Sequence, residues 1–168
     1  MSPRFALSPS DDAFLDTAPH RYTHIVDIPA PAQQVWDTLV ADDALVSWSP
    51  VVTAARWTSP RPFGVGTTRD VTLGGLIRLA ERFYRWDEGS RMTFTVDAAS
   101  VPGLNRFAED ITLLPLATGT RLVWTFALEG SAVLRPLLAA ASPVNRFVTK
   151  TIAAGTGRRV RIETVGAR

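Results

Sequence analysis

The stretch that decides the fold is SAVLRPLLAAASPVNRFVTKTIAAGTGRRVR, residues 131–161. It contains no Asp or Glu. Leu134, Leu137, Leu138 and Ala141 precede Pro143. After it, Val144, Phe147, Val148, Thr151, Ile152, Gly155, Arg159 and Ile162 recur at spacings of three and four. That period marks a helix with one apolar face, and Arg146, Lys150, Arg158 and Arg161 fall on the other. Ser142-Pro143 suits a helix start, with a capping hydroxyl followed by proline in the first turn. The stretch reads as a broken turn or two over residues 132–141, then one long helix from Pro143. Such a helix needs an apolar surface to lie on, and the upstream strands must supply it.

Those strands are legible from alternation and turn residues. Residues 1–19 are rich in Ser, Pro and Asp and read as a mobile arm, which Phe5, Phe14 and Leu15 could dock. Residues 20–165 read as a single domain. Arg21 to Ile28 alternates as a first strand, stopped by Pro29-Ala30-Pro31. Val35, Trp36, Leu39 and Val40 give a short helix. A second is expected from Asp42-Asp43 through Leu45, Val46 and Trp48, ended by Pro50. Strands follow at 51–58, 67–73, 76–87, 91–99, 105–116 and 121–129. Their short connections imply an antiparallel meander.

The turns set the faces, because cross-strand partners share a side. A four-residue loop at 87–90 places Phe83 opposite Phe94 and Glu81 opposite Val96. A four-residue loop at 117–120 places Leu113 opposite Trp124 and Glu109 opposite Leu128. One face then carries Leu79, Phe83, Met92, Phe94, Val96, Phe107, Ile111, Trp124 and Phe126. The other, with Arg82, Tyr84, Thr93, Thr95, Asp110 and Thr125, suits water. A two-residue Gly74-Gly75 turn would put Val71 and Leu73 on the wrong side, so that hairpin calls for a bulge or another loop length.

Composition narrows the function classes. The 168 residues are 46% hydrophobic and 20% charged, ordinary for a globular domain. No cysteine is present, and the only histidines are His20 and His24. A thiolate nucleophile and a multi-histidine metal centre are therefore not expected, and neither is any cofactor. A net charge of +2 is too small to suggest nucleic acid. The C-terminal arginines read better as a solvated helix face than as a phosphate or membrane patch. No apolar run is long enough for a membrane span, and the N-terminus lacks a secretory core, so a cytoplasmic location without integral membrane association is expected. Oligomeric state is left open.

The order of elements resembles the helix-grip fold, an α+β arrangement. A seven-stranded curved antiparallel sheet surrounds a long C-terminal helix, with two short helices after the first strand. Several motifs resemble the START-like (SRPBCC) superfamily, in particular its bacterial polyketide cyclase/dehydrase and lipid-transport branch. They are Ile28-Pro29-Ala30-Pro31 with Val35-Trp36, Leu45-Val46-Ser47-Trp48 and Gly64-Val65-Gly66-Thr67. Glu81-Arg82-Phe83 with Trp86-Asp87, and Gly119-Thr120-Arg121-Leu122 with Trp124, complete the set. The resemblance spans residues 21–162. It implies an apolar cavity between sheet and helix that takes a hydrophobic small molecule, a lipid or polyketide-like compound. Alternatives are a polyketide aromatase/cyclase or dehydratase-like enzyme without metal, and an accessory protein acting through a protein partner. It carries over no catalytic residue.

Within that cavity the expected ligand-binding residues are Phe83, Phe94, Phe107, Ile111, Trp124, Phe126, Phe147, Val148 and Ile152. Glu81 and Glu109 are the candidate catalytic residues, because a carboxylate facing an apolar cavity has a raised pKa and can move a proton. The plainer reading pairs each with an arginine, Arg69, Arg78, Arg85 or Arg106. The five tryptophans read as core, or as a wall for a ring-bearing ligand. Gly155 and Gly157 read as fraying of the helix, as room for a ligand or as a flexible gate.

Overall fold

The computed structural model describes residues 4–166. Its elements are β1 (Phe5–Ala6), α1 (Asp12–Thr17), β2 (His20–Ile28), α2 (Ala32–Val40) and β3 (Val52–Trp57). Then come β4 (Thr68–Leu73), β5 (Ile77–Asp87), β6 (Arg91–Ala99), β7 (Leu104–Leu116), β8 (Gly119–Gly130), α3 (Arg135–Ala140) and α4 (Ser142–Gly166). The sheet runs β2-β8-β7-β6-β5-β4-β3, antiparallel throughout, and curls around α4. α4 packs on β2, β8 and α2. The core lies between them, with Phe83, Met92, Phe94, Val96, Leu122, Trp124 and Phe126 almost fully buried. This is the helix-grip fold.

The registers show how turn chemistry sets the faces. Phe83 pairs with Phe94 and Glu81 with Val96, the expected pairs, although the loop is three residues, 88–90, with Asp87 opposite Arg91 and Arg85 opposite Thr93 rather than Met92. A bulge between Phe83 and Arg85 then moves Trp86 beside Met92 and turns it inward. The β7–β8 loop is two residues long, Leu116 pairing with Gly119, rather than four. Ile111 therefore faces Trp124, and Glu109 faces Phe126. A slip of two residues keeps every side chain on its face, so the predicted apolar face survives the error. At the β4–β5 hairpin the loop has three residues, 74–76, with Gly74 and Gly75 at φ 56° and 73°. Leu73 thus pairs with Ile77, Val71 with Leu79 and Arg69 with Glu81, all on the concave face.

Three expectations need correction. The second short helix is a string of turns over residues 42–48. Leu45 sits at φ 69°, in the left-handed region, which breaks helical propagation and turns its side chain toward the core. From Arg4 onward the arm is docked rather than mobile, and residues 1–3 of that expectation lie outside the described residues. β1 pairs with the end of β6, and the Leu7 and Ser8 amides donate to the carbonyls of Asp97 and Asn105. Phe14 and Leu15 of α1 bury against Ala108 and Ala127 on the convex side, with Arg106 stacked on the Phe14 ring. Thr93, Thr95 and Thr125 are consequently buried, so the convex face is not wholly wet.

The buried stripe of α4 is also rotated from the expected one. Thr149, Ile152, Ala153, Thr156 and Val160 face inward, whereas Val144, Phe147 and Ile162 are exposed. Small residues win because the helix must come close. The Trp48 indole N–H donates to the Ile152 carbonyl, and a Cβ on Gly155 would collide with Trp48 Cδ1. Gly155 therefore serves neither as a fray nor as ligand space; it is the seat of Trp48. In an ordinary helix Gly→Ala stabilises by about 1 kcal/mol. Here Gly155→Ala is expected to destabilise by roughly 1–3 kcal/mol, since Trp48 and its backbone cannot yield freely. Urea unfolding of the two proteins decides the sign, and a more stable alanine variant would remove Trp48 from that position.

Candidate functional site

Between the concave sheet and the first half of α4 lies a cavity of about 320 Å³. Its walls are almost wholly apolar, from Leu45, Val52, Val71 and Leu79 on one side to Phe107, Trp124, Phe126, Val148 and Ile152 on the other. It opens between the β4–β5 hairpin (Leu73, Ile77), the β6–β7 loop (Val101, Leu104) and α3 (Leu134, Leu137, Leu138). Three ionisable groups line its inner part: Arg69, Glu81 and Glu109. Glu81 lies four residues along β5 from Ile77, about 13 Å in from the mouth at ordinary strand rise.

The three groups form an unequal set. Arg69 donates from both Nε and Nη2 to Glu81 Oε2, at 2.8 and 2.7 Å, with both side chains buried. The guanidinium also lies over the rings of Trp57, Phe83 and Phe94, at 4.8, 5.4 and 5.6 Å from their centres. Glu109 has no arginine. Its Oε2 accepts the Trp124 indole N–H at 2.7 Å, and Trp124 in turn stacks on Phe126. Burial pushes Glu81 above the ordinary carboxylate range, while the charge and hydrogen bonds of Arg69 oppose it. Burial pushes Glu109 well above that range, and the Glu81 charge pushes it further against weaker opposition from Trp124 and Arg69. One guanidinium compensates one carboxylate, so Glu81 is the carboxylate whose charge is supported, and Glu109 is the one that burial drives toward its protonated form. The indole N–H can only donate, so Oε2 accepts. When Glu109 is protonated, Oε1 is the oxygen left to carry the proton, and Oε1 makes no hydrogen bond among the described residues.

The sequence-derived site residues divide clearly. Phe107, Trp124, Phe126, Val148, Ile152, Glu81 and Glu109 line the cavity together. Phe83, Phe94 and Ile111 are buried in the core beside it and form no part of its wall. Phe147 points away from the cavity and is 67% exposed. Of the four arginines weighed as partners, Arg69 takes Glu81 and none takes Glu109. Trp36, Trp57, Trp86, Phe63 and Phe83 pack ring on ring as core, leaving Trp124 as the one tryptophan in the wall. His24 lies outside the wall. Burial and the charges of Arg146 and Lys150 hold its pKa down. Thr149 Oγ1 donates to the Asn145 carbonyl, so His24 Nε2 donates to Thr149 at 2.7 Å and steadies a wall residue. The walls from β4, α3 and residues 45–52 were missed. The signal was available for β4, where a three-residue turn brings Arg69 and Val71 onto the concave face.

Among known proteins, the polyketide cyclase / dehydrase and lipid transport family matches residues 19–161. An uncharacterized protein of Mycobacterium tuberculosis, Rv2574, is 36% identical over 126 residues, 75% of each chain. Two solved structures share the fold. TTHA0849 from Thermus thermophilus has a TM-score of 0.71 at 19% identity, covering 85% of this chain and 98% of that one. A START superfamily protein from Mycobacterium smegmatis has a TM-score of 0.69 at 14% identity, covering 84% and 97%.

The raised pKa of Glu109 has a thermodynamic signature. Its folded pKa is raised, so it costs no stability below the unfolded value near 4.5 and an increasing amount as pH rises toward the folded value. A glutamine in its place would mimic the protonated acid at every pH. Glu109→Gln is expected to match the wild type near pH 4.5 and to become progressively more stable than it on the alkaline side. Tm measured by circular dichroism across that range gives the answer. Parallel Tm–pH curves would mean that Glu109 ionises normally.

Proposed function

This chain belongs to the polyketide cyclase / dehydrase and lipid transport family, and we propose that it binds an amphipathic small molecule with an apolar body and one neutral acceptor oxygen at its buried end. The observation that carries this reading is Glu109 among apolar walls without a cationic partner among the described residues. Burial drives its carboxyl toward the protonated form, with one oxygen on the Trp124 indole and the other free for a ligand. A carbonyl or hydroxyl oxygen entering the cavity would accept that proton in a hydrogen bond, while its hydrocarbon part covers Phe107, Phe126, Val148 and Ile152. A carboxylate ligand is disfavoured. Arg69 is already neutralised by Glu81, so a further anion would be buried without a partner.

Displacement of a fluorescent apolar probe tests the discrimination. A long-chain methyl ketone is expected to bind at least ~10-fold more tightly than the alkane of equal length, a difference of about 1.4 kcal/mol. The matched fatty carboxylate should bind more weakly than the ketone. Glu109→Leu should abolish the preference for the ketone, and Glu109→Gln, which keeps a donor, should retain most of it. Equal binding of ketone and alkane to the wild type would refute the reading. Organic extraction of purified protein followed by mass spectrometry then identifies any resident ligand.

A second reading rests on the same carboxyl group. A carboxyl group whose pKa is raised by burial is suited to general-acid work, giving its proton to a carbonyl oxygen or to a departing hydroxyl. That is the chemistry of a polyketide cyclase or dehydratase. Loss of water from a β-hydroxy thioester, abolished by Glu109→Gln while ketone binding persists, would favour it over simple binding.

A further inference from the structure

The mouth of the cavity is built from three chain segments, residues 71–80, 98–108 and 130–162. All three lack Asp and Glu, although the chain holds 16 acidic residues. They carry Arg78, Arg106, Arg135, Arg146 and Lys150, and α4 adds Arg158, Arg159 and Arg161 farther along. Elsewhere Arg61, Arg82, Arg85, Arg91 and Arg121 each hold an aspartate, while Arg21 and Arg56 hold none among the described residues. Around the mouth Arg135, Arg146 and Lys150 are exposed and have no carboxylate within salt-bridge distance among the described residues, and Arg78, likewise without one, lies on the outer face of the hairpin. The nearest acids face elsewhere. Asp70 is held by Arg4, and Glu129 lies on the convex side beside Ser8 and Arg106.

The same rim exposes apolar side chains that a chain of this charge has no need to display. Leu76 at the tip of the β4–β5 hairpin is 82% exposed, and Ile77 beside it reaches from the surface into the cavity wall. Across the opening Val133 is 89% exposed and Leu137, itself part of the wall, 63%. Val144 and Phe147 continue this surface along α4. An apolar patch bordered by unpaired cations and stripped of anions is complementary to the interface of an anionic bilayer, where side chains enter the acyl boundary and cations meet the headgroups. It is poorly suited to a second copy of the chain, which would bring a like-charged rim against its own.

We propose that the cavity mouth, formed by the β4–β5 hairpin, α3 and the first turns of α4, docks peripherally on an anionic phospholipid surface. The apolar rim is then continuous with the apolar cavity, so a ligand can pass between bilayer and cavity without crossing water. This assigns a surface role to residues that the ligand reading leaves idle, Phe147 among them. None of the described helices is long and apolar enough to cross a membrane, so the contact is a surface one.

Flotation of the full chain with phosphatidylcholine vesicles, alone or containing about one-third phosphatidylglycerol, tests the proposal. Partition onto the anionic vesicles should exceed that onto the neutral ones at least ~10-fold and should fall as salt is raised. Val133→Asp with Phe147→Asp, both at exposed sites outside the cavity wall, should reduce partition by at least ~10-fold, and Arg135→Gln with Lys150→Gln should reduce its salt dependence. Unchanged circular dichroism and unchanged probe binding in the cavity keep these variants distinct from loss of fold or of ligand binding. The proposal is overturned by absent partition onto anionic vesicles at low salt, or by partition that Val133→Asp with Phe147→Asp leaves intact. A wild-type dimer in light scattering that those substitutions dissociate would overturn it equally.

Discussion

Two carboxylates and one guanidinium share the interior of this fold, and the mismatch shapes everything near it. A lone buried ion is costly, so Arg69 and Glu81 are held together on paired strands with the guanidinium laid over three aromatic rings. That arrangement requires the three-residue turn at 74–76, since a shorter turn would send Arg69 to the convex side. It leaves Glu109 to be satisfied by something other than charge. The indole of Trp124 meets one oxygen, and burial drives the carboxyl toward its neutral, protonated form. A polar group that is neutral, directional and surrounded by hydrocarbon is the result. Such a group chooses among greasy molecules by a single atom of each.

The apolar face of the sheet was legible in the sequence because strand side chains have a period of two. The β7–β8 loop was read two residues too long, yet Glu109, Ile111, Trp124 and Phe126 stayed on the correct face. The position of α4 was legible for the same kind of reason, from apolar spacing after Ser142-Pro143. Its rotation was not. Periodicity ranks Phe147 as more buried than Ala153, whereas close approach to β2 and Trp48 demands Ala153, Gly155 and Thr156. The rule that large apolar residues go inside fails where the helix must lie near backbone.

Glu81 and Glu109 were found by parity, but their difference was invisible. It depends on Arg69 reaching one and not the other, and Arg69 sits on the strand whose turn length the Gly-Gly pair left open. The arm was misjudged because its Ser, Pro and Asp content resembles that of a free segment. Its apolar residues Phe14 and Leu15 find small partners in Ala108 and Ala127 that leave room for them. The basic stretch was read as an ordinary solvated face because a linear sequence does not show which segments meet. Only the fold brings 71–80, 98–108 and 130–162 to one opening.

The sheet order has a consequence for the chain during synthesis. β2 pairs with β8, His20 lying opposite Leu128 and Ile28 opposite Thr120. At ribosomal speeds of about 5–20 residues per second, β2 waits roughly 5–20 seconds for that partner. α4, which covers it, arrives later still. Through that interval Tyr22, Val26 and Ile28 have no finished surface to join, and an unpaired strand edge is open to any other extended chain. The nascent protein is therefore most exposed to aggregation just before its last elements emerge. Its vulnerability follows from topology rather than from any one residue.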